Sequence, residues 1–181
     1  MGMFASLKRL VGGASSPVEQ LYAAVVTEAR RPQWYVEGGV PDSMDGRFDM
    51  VVLVLSLLML RLEEITGNNA RHPAAQLSAD LADRFITDMD GNLRQDGVGD
   101  QAVPKHMGRM VAALGGRIGA YRAARSDTDA IAGALRRNLY RGEPVADAAL
   151  AFVTGEALRL SRQLGETGFT QLAAGHMEPS H

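Results

Sequence analysis

The sequence contains no cysteine. Disulfides, thiolate chemistry and any Cys-based metal site are therefore excluded, which fits a reducing compartment. It also lacks a surplus of positive charge: 19 Lys and Arg stand against 21 Asp and Glu, for a net charge of −2. A general nucleic-acid binder would be basic, so no sequence-specific nucleic acid is expected as a partner. No apolar run is long enough to span a bilayer. The most apolar stretch, bracketed by Asp49 and Arg61, falls well short of the ~20 residues a span needs. The apolar N-terminal run is short and is broken by Lys8 and Arg9, so no signal peptide is read. The expected location is the cytoplasm, peripheral at most on the inner face of the cytoplasmic membrane.

Chemical motifs are missing too. There is no phosphate loop with its lysine, no nucleophile elbow and no dinucleotide fingerprint. His72, His106, His176 and His181 are scattered, and none has a second ligand at i+3 or i+4. No metal or other cofactor is expected. The segment Asp88 to Asp100 resembles a calcium loop but fails in detail. With Asp88, Asp90 and Asn92 as first ligands, Leu93 falls where glycine is required and Gly99 where a bidentate Glu belongs. The reading is a turn-rich linker whose carboxylates hold arginines and cap the next helix.

No segment alternates with the period of a strand, so the fold class is all-α. At 181 residues and 46% hydrophobic, the chain has enough apolar material for one domain with a real core. From Phe48 to Leu62 the wheel is apolar on nearly every side, and Asp49, Ser56 and Glu63 form one narrow polar line. This is read as a buried central helix, residues 48–66, preceded by a polar lead-in at Pro41-Asp42 and Asp45-Gly46 and ended by Gly67. Around it a bundle of about six helices is expected. Ser16 and Pro17 open a helix that Arg30-Arg31-Pro32 closes. Pro73 opens another, with Leu77, Leu81, Phe85 and Met89 as its stripe. Ser126 and Asp129 resemble a capping box for a fifth, and Pro144 starts a sixth that reaches about Gly165. The domain is placed at 16–166. Residues 1–15 precede it as a flexible or membrane-touching segment, and 167–181 follow as a tail that docks as one short turn including Phe169 and Leu172.

The helix from Pro104 to about Arg125 carries three faces. Val103, Met107, Met110, Val111, Leu114, Ile118 and Tyr121 form the apolar one. His106, Arg109 and Arg117, with Lys105 near the edge, form a basic stripe. Gly108, Ala112, Gly115, Gly119 and Ala123 line a third side. Each mid-helix glycine costs roughly 0.5–1 kcal/mol relative to Ala, so a row of them points to close approach of another backbone. Packing inside the domain is the first expectation and a partner the second. Arg47 and Arg117 are each expected to hold a carboxylate among Asp42, Asp45, Asp49, Asp88, Asp90 and Asp100, because the guanidinium fork takes a carboxylate with two hydrogen bonds. The same acids with the same arginines also leave open a helical enzyme built on Asp88, Asp90 and Asp100.

Three segments carry a family resemblance: GVPDSMDGRFD (39–49), FITDMDGNLRQDGVGD (85–100) and KHMGRM…GGRIGAY (105–121), preceded by Arg31-Pro32 and Trp34-Tyr35. Over about residues 20–125 the chain resembles the ubiquinol–cytochrome c chaperone family. The resemblance implies an α-helical, non-enzymatic assembly factor for the bc1 complex of the respiratory chain, acting at the membrane surface on nascent or newly inserted cytochrome b. It further implies the ribosome's exit region and a small partner protein as associates. Lys105, His106, Met107, Arg109, Met110 and Arg117 are the candidate partner-binding residues. Met-bearing apolar surface beside basic charge suits a client whose apolar helices are still uncovered.

Overall fold

The computed structural model describes residues 16–95, 99, 101–125 and 127–178. The N-terminal segment 1–15, Asp100, Ser126 and His181 lie outside them. The described residues form eight helices: α1 (Pro17–Ala29), α2 (Pro32–Val36), α3 (Met44–Thr66), α4 (Pro73–Gln95), α5 (Val103–Ala124), α6 (Thr128–Asn138), α7 (Asp147–Glu166) and α8 (Phe169–Ala173). Six are long; the five-residue α2 is an addition to the sequence reading, and the five-residue α8 stands where a short docked turn was expected. Among the described residues no helix is long and apolar enough to cross a membrane.

The centre is α3. Every residue from Asp49 to Leu58 is buried, and the helix packs on α1, α4, α5 and α7. It starts at Met44, four residues before the expected Phe48. Ser43 accepts a hydrogen bond from the Gly46 backbone N–H at 3.1 Å, and Asp45 sits favourably in the first turn. Asp45-Gly46 is thus helix and not part of a turn. Gly46 is needed there, because a Cβ would collide with the Pro41 carbonyl. At the far end Gly67, at φ 52°, donates to the Glu63 carbonyl and stops the helix. Ser56, fully buried on the polar line, satisfies its hydroxyl on the Val52 carbonyl at 2.6 Å.

Other boundaries differ from expectation for local reasons. Pro32 does not merely end α1; it sits at the first position of α2, and the indole of Trp34 donates to the Glu28 carbonyl at 2.9 Å. The stretch expected to be a linker from Asp88 is helical as far as Gln95, since Met89 is buried and Asp88 accepts from the Tyr22 hydroxyl of α1 at 3.0 Å. The N-cap of α5, Ala102, has no side-chain bond, and Asp88 and Asp90 bind elsewhere, while Asp100 lies outside the described residues. α6 is capped by Asp127, which accepts from Asp129 N and Ala130 N. α7 starts at Asp147 and not at Pro144, which stands in the extended stretch before it.

Residues 167–178 lie against the bundle. Thr167 and Leu172 are fully buried, Met177 nearly so, and Arg61 donates to the Thr167 carbonyl at 3.2 Å. The α6–α7 connection is the strained one. Arg141 has φ 56°, a conformation that costs a non-glycine residue about 1–3 kcal/mol. Gly142 follows at φ 79° and donates to the Arg136 carbonyl, closing the end of α6.

Candidate functional site

Two groups of residues around α5 carry the features a function would use. The first is a buried charge cluster. Asp49, in the first turns of α3, has its side chain 1% exposed and binds two guanidiniums. Arg117 of α5 reaches its Oδ1 at 2.7 Å. Arg141 reaches Oδ2 through Nε at 2.7 Å and Oδ1 through Nη2 at 3.3 Å. A carboxylate so enclosed is tolerable only when opposite charge and hydrogen bonds replace its water. Two arginines over-compensate one acid, and Asp45 restores the balance by taking Arg141 Nη1 at 2.7 Å. The Asp49 hydrogen bond holds the Arg141 guanidinium above its already high ordinary pKa. Arg117 lies over the Phe48 ring, 5.5 Å from its centroid, with Nη1 buried and unpartnered among the described residues.

Arg117 therefore does not stand on the basic stripe with Lys105 and Arg109, as the helical wheel implied. Its side chain is 12% exposed and committed to the core of the fold. Arg47 takes Asp42 at 2.7 Å on the surface and draws that carboxyl below its usual pKa. The remaining acids disperse. Asp88 serves Tyr22 and lies 3.8 Å from Arg84; Asp90 pairs with Arg94 at 2.8 Å; Asp100 lies outside the described residues. Asp88 and Asp90 do not converge with Arg47 or Arg117, so the acid–arginine constellation of an enzyme is not assembled. No group of three or more His, Asp or Glu among the described residues could hold a metal ion.

The second group is the outer surface of α5. Leu114, Tyr121 and Ala124 face the core, with Met107, Met110 and Ile118 half-buried beside them. Burial pushes the Tyr121 hydroxyl well above its ordinary pKa, with Arg117 opposing the shift. Lys105 and Arg109 are exposed and have no acidic partner among the described residues; His106 is half-buried. Val111 is 43% exposed. A Cβ added at Gly108, Gly115, Gly116 or Gly119 would meet no described residue within 4 Å. The expectation that a neighbouring helix approaches this small-residue side from within the domain is thus corrected: α4 and α6, which pack on α5, lie elsewhere.

Arg141 is the residue that sequence reasoning missed. It pairs with Asp49 across 92 positions, beyond any local spacing rule, and its only local mark is the glycine after it.

The described residues form an all-α bundle with a closed ionic centre, a framework common among binding proteins. The chain belongs to the ubiquinol-cytochrome C chaperone family, whose family model matches residues 36–178. The match extends into the last third of the chain, past the end of the sequence resemblance at about residue 125. The crystal structure of the Cbp3 homolog from Brucella abortus is similar at 30% identity and a TM-score of 0.78, over 99% of this chain and 97% of that one. No curated protein matches. Assembly of ubiquinol–cytochrome c reductase is accordingly the process the chain serves.

Proposed function

We propose that the chain assists cytochrome b during assembly of the bc1 complex, at the inner face of the cytoplasmic membrane, and that the N-terminal half of α5 is the surface that meets the client. The observation that carries this is the pairing of two exposed cations without an acidic partner among the described residues, Lys105 and Arg109, with half-buried Met107 and Met110 and exposed Val111 on one helix. Like charges on one face repel slightly, which a solvated surface tolerates and a contact with anionic groups rewards. The methionines adapt their shape to different apolar side chains. Arg117 is not part of this surface, because its charge is spent on Asp49.

The test is Lys105→Glu with Arg109→Glu in a strain lacking the chromosomal copy. The doubly reversed protein should keep its helical circular dichroism and melting temperature, because neither side chain has an acidic partner among the described residues. Cytochrome b levels should fall to those of the deletion strain, and capture of cytochrome b from detergent-solubilised membranes should weaken as salt rises. Normal cytochrome b with the folded double variant would overturn the assignment of this surface. Recovery of ribosomal proteins or of one small protein in the same capture, lost in the variant, would give the surface to that partner instead.

A further inference from the structure

α6 packs on α5 and α7, and between it and α3 lies a cavity of about 240 Å³. Its inner wall is apolar: Leu53 and Leu57 of α3, Ile131 and Leu135 of α6, and Ala157 of α7 are all buried. Its mouth is of another kind. Arg61, Arg125 and Arg162 line it, with Glu64 as the one acid. Arg125 takes Glu64 at 2.8 Å and Arg61 takes it at 3.4 Å, so one carboxylate serves two guanidiniums. Arg162 is exposed and has no partner among the described residues. Arg61 Nε is buried without a hydrogen bond among the described residues. A buried donor left unmatched is an unfavourable group that an added acceptor would relieve.

We propose that this cavity binds a single acyl chain ending in an anionic head, the chain against Leu53, Leu57, Ile131 and Leu135 and the head among Arg61, Arg125 and Arg162. The occupant follows from the two halves of the site. The apolar wall is where methylene groups leave water most favourably. The mouth carries more cation than acid, with one free guanidinium and one unmatched Nε–H, which a carboxylate or phosphate matches and an uncharged head does not. This inference is independent of which face of α5 meets the client.

Decanoate and decanol, titrated calorimetrically into the whole protein, separate chain from head. Decanoate should bind at one saturable site and more tightly than decanol. Arg162→Glu should weaken decanoate about fivefold or more, the size of one lost surface charge contact turned to repulsion, and leave decanol unchanged. Ser161→Trp, an exposed position at the mouth that can change without touching the core, should weaken both. Phosphatidylglycerol vesicles that displace decanoate, where phosphatidylcholine vesicles do not, would identify a membrane lipid as the source; decanoate retained in their presence identifies the free acid. Absence of saturable decanoate binding, equal affinity for decanol, or an Arg162→Glu protein that binds decanoate normally would overturn the proposal. So would an apolar peptide with a free C-terminus that displaces decanoate more tightly than longer fatty acids do.

Discussion

Asp49 and Arg117 meet at 2.7 Å between α3 and α5, the carboxylate sealed from solvent and the guanidinium nearly so. Arg141 completes the enclosure from the α6–α7 turn. Removing one member of such a set leaves the other charged and unhydrated. Asp49→Ala should therefore cost about 3–5 kcal/mol in urea unfolding. Arg141→Ala should cost far less, on the order of 1 kcal/mol, because its side chain is 45% exposed and its turn is strained. Asp49→Leu combined with Arg117→Met should recover most of the loss, since matched apolar replacement removes both charges together. Equal costs for Asp49→Ala and Arg141→Ala would show that Arg141 and not Arg117 anchors the carboxylate.

The central position of α3 gives a graded result along one helix. Leu55 is wholly buried, while Leu57 borders the cavity. Leu55→Asp should cost several kcal/mol, at or beyond the ~4 kcal/mol that marks exceptional substitutions. Leu57→Asp should cost clearly less, because the cavity admits water to the new carboxylate. Thermal melts of the two variants that coincide with wild type would place α3 at the periphery.

Glycine substitutions divide the molecule into filled and open places. Gly115→Ala adds a methyl group to empty space on a helix, and should stabilise by about 0.5–1 kcal/mol. Gly46→Ala drives the same methyl into the Pro41 carbonyl, and should destabilise by more than Gly115→Ala gains. A Gly115→Ala protein that unfolds earlier than wild type would mean that the outer side of α5 is covered.

Acid should release one surface tie between α3 and α5. Arg122 binds both oxygens of Glu63, at 3.0 and 2.5 Å, and draws that carboxyl below its ordinary 4.5. A depressed folded pKa contributes stability that is present above 4.5 and is lost as pH falls through the lower folded value. Both side chains are about half exposed, so solvent screening keeps the effect under ~1 kcal/mol. The stability difference between wild type and Glu63→Gln should be visible at neutral pH, shrink in high salt and vanish in acid. A difference that persists at pH 3 would assign it to packing rather than charge.

Legibility in the sequence follows the range of the interactions. The central helix is readable because its apolar residues occupy every face, which only burial satisfies. Arg47 finds an acid five residues away, within reach of any local reading. Asp88 and Asp90 are harder, because Asp, Gly and Asn together read as a turn. Tertiary contact overrides that preference: Met89 is in the core, and Tyr22 of α1 binds Asp88. The wheel places Arg117 beside Arg109, yet it cannot show that Asp49 stands opposite and takes Arg117 out of the surface. Arg141 is wholly unreadable, since its partner lies on a distant helix and the turn that aims it adopts a conformation its residue type disfavours.

The 92 positions between Asp49 and Arg141 also set an order in time. Synthesis delivers the N-terminal elements first, and contacts far apart in sequence close last. While the chain is being made, the α3 carboxylate has only Arg117 to turn to, and the side of α3 that α7 will cover remains wet. An apolar helix waiting for its neighbours is also the condition of a membrane protein under assembly. Arg141 and then α7 complete these contacts, so the surroundings of α3 are finished only by the last third of the chain.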